Sequence, residues 1–179
     1  MFRTLVFAVA ATLLVFYGVG LLLADHWDVD SERTVAAPPA RVAPLLGDFA
    51  TWQDWSGMRV ELGAGMTREV SGEPGHAGHQ IAWRGAQGAA ILRLVEVGPG
   101  AIDYELLSQR AGDPDEAVVG RGRIRWQAEG DGTRVSWHDE GQADAIVLRW
   151  IAWFGAMQEQ VRQIQTVSLA GLQKAVEAG

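Results

Sequence analysis

Leu5 to Ala24 reads LVFAVAATLLVFYGVGLLLA, without a single charge. Twenty residues at about 1.5 Å each make about 30 Å of helix, the thickness of a bilayer's hydrocarbon core. No side of the run is polar, which argues against a half-exposed helix of a soluble domain. Arg3 precedes the run, and Asp25, Asp28 and Asp30 follow it. Positive charge tends to stay on the cytoplasmic side, so the remainder is expected to be extracytoplasmic; only Arg3 and the terminal amine carry that orientation. The competing reading is a cleaved signal peptide, whose apolar region is normally about 7–15 residues before a small-x-small cut. This run is longer and ends Leu22-Leu23-Ala24, with bulky Leu22 where a small residue belongs. The expectation is therefore a single-pass membrane protein, anchored by residues 1–26 and folded over residues 27–179.

The rest of the chain has room for one sizeable core. A net charge of −7 argues against a phosphate-backbone binder, so no nucleic-acid partner is expected. There is no cysteine, which excludes disulfide scaffolds, thiol nucleophiles and thiolate zinc sites. Eight Trp against two Tyr implies large apolar surfaces.

Trp27–Val35 reads as a first strand, stopped by Pro38-Pro39. Ala40–Phe49 has helical character, with Val42, Leu45, Leu46 and Phe49 on one face. Pro44 and Gly47 should break it into short pieces. From Met66 to Gln142 the period becomes two. Gln80–Arg84, Ala90–Val97, Ala101–Leu107, Ala117–Gln127 and Thr133–His138 read as strands separated by Gly- and Asp-rich turns. In Ala117–Gln127, Val118, Ile124 and Trp126 share one face with Gly120 and Gly122, and Arg121, Arg123 and Arg125 share the other. That alternation marks an antiparallel sheet with one face in water. The two glycines either relieve packing or leave space beneath the sheet. Ala145–Ala178 reads as one long helix, with Trp150, Phe154, Met157, Val161, Ile164, Ser168 and Leu172 as its stripe. The expected fold is α+β: a curved antiparallel sheet around a long C-terminal helix, preceded by one transmembrane helix.

These residues resemble a family. Pro38-Pro39-Ala40-Arg41-Val42, then Asp48-Phe49, then Trp52-x-x-Trp55-Ser56, look like the opening of SRPBCC (START-like) proteins of the polyketide cyclase/dehydrase-like kind. Ser71-Gly72-Glu73-Pro74-Gly75 with Gly78, Trp83-Arg84-Gly85, Glu96-Val97-Gly98-Pro99, Gly132-Thr133-Arg134-Val135-x-Trp137 and Gly171-Leu172 follow in order. The resemblance covers residues 27 to 177. It implies a helix-grip fold with an apolar cavity between sheet and helix. It supplies no catalytic set to carry over.

Candidate site residues follow from parity. Trp83, Trp126 and Trp137 face inward on different strands. They are either core or the lining of an aromatic pocket. Tyr104 faces inward with a polar tip that can fix a ligand by one hydrogen bond. Glu96 has the inward parity of Leu92 and Leu94. A carboxylate there would have a raised pKa and suit acid–base work, unless the strand end turns it outward. Phe154 and Met157 add apolar contacts from the last helix. Trp52 and Trp55 cover a cavity mouth or cap the core. His76 and His79 form H-x-x-H in a Gly-rich loop; with no third ligand in view, a solvated turn is the plainer reading than a metal site. His138 and Asp139 are adjacent on a strand and so point to opposite faces, which argues against a dyad. No G-x-S-x-G elbow, phosphate loop or H-E-x-x-H helix occurs. No catalytic residue, metal or cofactor is therefore assigned. The favoured function is binding of a hydrophobic small molecule or lipid, tethered to the membrane through Leu5 to Ala24. A cyclase- or hydrolase-like enzyme, or a non-catalytic interaction domain, are the alternatives.

Overall fold

The structure, a computed structural model, describes residues 2–58 and 65–178. It begins with helix α1 (Phe2–Leu22), which is long and apolar enough to cross a membrane by length and composition. Strand β1 (His26–Val35) follows directly, and then two short helices, α2 (Pro39–Gly47) and α3 (Trp52–Trp55). Pro39 sits in the first turn of α2, where its missing N–H costs nothing. Six strands come next: β2 (Thr67–Ser71), β3 (Gln80–Gly85), β4 (Gly88–Gly98), β5 (Ala101–Arg110), β6 (Ala117–Glu129) and β7 (Gly132–Gln142). Two helices close the chain, α4 (Ile146–Trp153) and α5 (Ala156–Ala178).

All seven strands form one antiparallel sheet in the order β1-β7-β6-β5-β4-β3-β2. β1 and β2 are its two edges and do not pair, so the sheet is open. This corrects the expectation of a curved sheet wrapped around the last helix. Closure needs two edges able to pair. β2 has five residues with one apolar side chain, Val70, among Thr67, Arg68, Glu69 and Ser71. Short, charged edge strands resist further pairing. At the far edge, α5 packs against β1 and β7 instead. The architecture is thus helix-grip-like, a sheet with a long C-terminal helix on one face, and it is not a closed grip.

The core lies between the inner face and helices α2, α3 and α5. Trp52, Trp55, Phe49, Leu46, Leu94, Ile102, Ile124, Val135, Trp137, Leu169 and Leu172 form one buried cluster. Trp52 packs edge-on against Phe49, Tyr104 and Trp137, so Trp52 and Trp55 belong to the core. On the outer face the arginines find partners on the neighbouring strand: Arg121 meets Glu105 at 3.2 Å, and Arg123 meets Asp103. The final helix is broken. Gly155, at φ +77°, ends α4 and lets α5 start in a new direction. From Val161 onward the expected stripe holds, with Ser168, Leu169, Leu172 and Val176 buried. Before the break, Trp150 stacks on Phe16 of α1 instead, and the exposed Phe154 stacks on Trp150.

Candidate functional site

A cleft of about 320 Å³ opens between the inner face and α5. Its floor is Trp83 of β3, Ala90 and Leu92 of β4, Tyr104 and Leu106 of β5, and Gly120 of β6. Val161 and Ile164 of α5 form one wall, and Trp27 and Met58 lie at its edges. Arg121, Asp139 and Glu140 are the charged residues of the lining. The volume falls at the lower end of the range for small-molecule sites, and a mostly apolar lining with few polar groups is their usual make-up.

The two glycines of β6 have different jobs. A Cβ on Gly122 would collide with the Tyr104 ring and the Asp139 carboxylate, so this glycine relieves packing. A Cβ on Gly120 would meet only the Glu140 carbonyl at 3.1 Å and Leu106 Cβ at 3.9 Å. Gly120 lines the cleft and leaves space there.

Behind the cleft lies a buried polar chain. Trp137 Nε1 donates to Tyr104 Oη at 2.8 Å, and Tyr104 Oη donates to Asp139 Oδ1 at 2.5 Å. Gln165 Nε2, on α5, donates to Asp139 Oδ2 at 2.8 Å. Asp139 is 7% exposed. Burial pushes its carboxyl above the usual carboxylate range, and the hydrogen bonds from Tyr104, Gln165 and Trp137 pull it only partly back. Burial first, and then the charge of Asp139, hold the Tyr104 phenol well above its ordinary value. Tyr104 therefore remains a donor. Gln165 Oε1 is buried and has no hydrogen-bond partner among the described residues. The sheet and α5 are thus joined through Asp139 and Gln165 at the inner end of the cleft.

The sequence-predicted residues divide. Trp83 and Tyr104 line the cleft. Trp137 is buried behind it as the donor to Tyr104, and Trp126 packs half-buried against the core further along β6. Met157 is half-buried near the start of α5. Phe154 is 71% exposed and stacks on Trp150, away from the cleft. Glu96 is exposed, because the register slips between Leu94 and Glu96. Leu94 pairs with Tyr104 but Glu96 pairs with Asp103, which belongs to the outer face. One extra residue, Val95, reverses the parity.

Asp139 and Gln165 were not foreseen as site residues. The signal for Asp139 was present, since Val135, Trp137 and Asp139 share parity. His138 points the other way and meets Asp30 at 2.9 Å and Glu140 at 3.7 Å. Partial burial pulls its pKa down, but the two carboxylates outweigh this and leave it raised. His79 is not in a solvated turn. It is 1% exposed, accepts from Phe49 N at 3.0 Å through Nε2, and reaches Gly72 O at 3.2 Å through Nδ1. His76 is exposed. Among the described residues no group of three or more His, Cys, Asp or Glu is placed to hold a metal ion.

Comparison with known proteins gives three findings. The family model described as polyketide cyclase / dehydrase and lipid transport matches residues 26–177. Solved structures share the fold. A protein from Chromobacterium violaceum is 23% identical at a TM-score of 0.51, with 84% of this chain and 96% of that one covered. One from Nitrosospira multiformis is 16% identical at 0.58, with coverages of 83% and 94%. One from Staphylococcus aureus, described as of unknown function, is 10% identical at 0.60, with coverages of 86% and 95%. Such identities speak for the fold alone. No curated protein matches the chain.

Proposed function

This chain belongs to the polyketide cyclase/dehydrase and lipid transport family, and from that premise we propose that it binds a hydrophobic small molecule or lipid beside a membrane. Residues 1–26 are the anchor and residues 27–179 the binding domain, which faces outward by the charge asymmetry around α1. The observation that carries the reading is the cleft, whose floor and wall are almost wholly apolar side chains. Trp83, Leu92, Leu106, Val161 and Ile164 would make the apolar contacts, with Tyr104 beside them. A fully buried aliphatic group gains about 0.8 kcal/mol per CH₂ on leaving water. A cleft of this size therefore supports useful affinity without a charged anchor.

An enzymatic reading has one supporting observation, the raised pKa of Asp139 at the cleft lining. Both Asp139 oxygens are already engaged by Tyr104 and Gln165. That favours a structural carboxyl over a proton-transfer group, so binding is the better-supported function.

The test is a fluorescent fatty acid titrated into the full chain in vesicles. Ala90 faces the cleft and lies outside the buried core. Ala90→Trp should fill the space and weaken binding at least about tenfold, with the melting temperature unchanged. Equal affinity in the two proteins would remove the cleft from the proposal.

A further inference from the structure

Helix α4 and the turn after it present a run of exposed apolar side chains. Residues 146–157 read IVLRWIAWFGAM, with Arg149 as the only charge. Ala152 is buried against the domain, whereas Trp153 is 61% exposed, and Val147, Leu148, Ile151 and Phe154 are also exposed. An apolar patch of this kind at the surface of a soluble domain needs a partner.

The contacts of α4 indicate which partner. It packs on the second half of α1. Ile146 and Trp150 lie against Gly20, the only buried residue of α1 among those described. The Trp150 ring stacks on Phe16 at 5.5 Å, and its Nε1 donates to the Phe16 carbonyl at 3.2 Å. A leucine at position 20 would not fit, since even a Cβ there would collide with Ile146. Arg149 turns back toward the start of β1, where it donates to Ala143 O at 3.1 Å and approaches Asp25 at 3.7 Å.

We propose that α4 is a second membrane element, inserted into the same leaflet as the outer half of α1, with lipid acyl chains as the occupant of its exposed face. The inference rests on the reading of α1 as a membrane span. Depth then follows from helix geometry. Phe16 lies six residues before Leu22, or about 9 Å below the end of α1 at about 1.5 Å per residue. Trp150 touches both Phe16 and Gly20, so it lies between those two levels, about 3–9 Å below the end of α1. Helices that rest in the interface bury their apolar side by about 5–10 Å. α4 therefore lies against the outer half of α1 at the depth of an interfacial helix. Its single charge stays at the head-group level with Asp25, and Trp153 and Phe154 lead into the leaflet. Gly155 then turns the chain back, and α5 carries it to the cleft wall at Val161 and Ile164. The domain is held by two elements, which fixes its tilt as well as its distance from the membrane.

The chain has no cysteine, so single-cysteine variants can report depth. Leu13→Cys on α1, Val147→Cys and Phe154→Cys on or just after α4, and Lys174→Cys on α5 all alter exposed positions. Each full-length variant is labelled with an environment-sensitive dye and reconstituted in phosphatidylcholine vesicles, with or without lipids brominated on the acyl chains. The expected result is blue-shifted emission at positions 13, 147 and 154 that loses most of its intensity to the bromines, with position 174 unaffected. Quenching at 13 with none at 147 and 154 would overturn the insertion of α4 and leave the anchor intact, whether water or a second copy covers the patch. No quenching at 13 would overturn the anchor reading, and this inference with it.

Discussion

Asp139 sits where three elements meet: its own strand β7, Tyr104 of β5 and Gln165 of α5. Its raised pKa makes a signed prediction. The folded state holds the proton more tightly than the unfolded chain, whose value is near 3.8. Stability from this group is complete below that pH and is lost as pH rises through the raised folded value. His138 behaves with the same sign in a higher window. Its contribution is complete below about 6.5 and is lost as pH rises through its raised folded value. Urea midpoints against pH should show both slopes. Asp139→Asn should remove the lower and His138→Gln the upper; a profile unchanged in either variant would refute that assignment. Tyr104→Phe strands Trp137 Nε1 and removes a donor from Asp139. It should cost about 1–3 kcal/mol, read from the same urea titrations. How much of this was legible is decided residue by residue. Parity placed Tyr104 and Trp137 inward correctly, and extended by two residues it would have reached Asp139. Glu96 failed because a bulge leaves no mark in an alternating pattern. Gln165 was hidden because a glutamine on a helix is assigned to solvent until a buried carboxylate is known to face it.

At the scale of elements, the strands with strong alternation were readable, and each extends somewhat beyond its apolar run because hydrogen-bond ladders continue past it. β2 was not readable. Thr67–Ser71 holds one apolar residue, and only its pairing with β3 makes it a strand. The last helix was readable in its second half and misread at residues 154–155. The stripe continues through Gly155 on paper, but the buried side changes from α1 to the sheet at that point. A left-handed residue is the least costly way to change direction. Gly155→Ala adds only a methyl group but opposes the left-handed backbone at φ +77°. It should destabilise the full chain by about 1–2 kcal/mol. No change in the denaturation midpoint would mean that the turn relaxes into a continuous helix at no cost.

At the scale of the whole molecule, the chain passes from α1 to β1 without a flexible segment. Ala143 N donates to Asp25 O at 2.6 Å, and Arg149 lies beside the same residue. Trp27, two residues further on, is already part of the cleft lining. The apolar cleft therefore begins almost where the apolar span ends. For the proposed apolar ligand, this arrangement separates two routes. A ligand that leaves through water exposes its chain at about 0.8 kcal/mol per CH₂, which slows transfer by about fourfold for each carbon added. A ligand that passes directly between cleft and leaflet does not expose it. We therefore expect transfer of fluorescent fatty acids from the full chain to its own vesicle to depend only weakly on chain length. Insertion of a long Gly/Ser linker between Asp25 and His26 keeps the proposed anchor and the cleft but breaks their juxtaposition. The same series should then approach the fourfold step per CH₂. A fourfold step already present in the native chain would exclude direct passage while leaving binding in the cleft untouched. A weak dependence that survives the linker would show that the closeness of α1 and the cleft, built into the joint at Asp25, has no part in exchange.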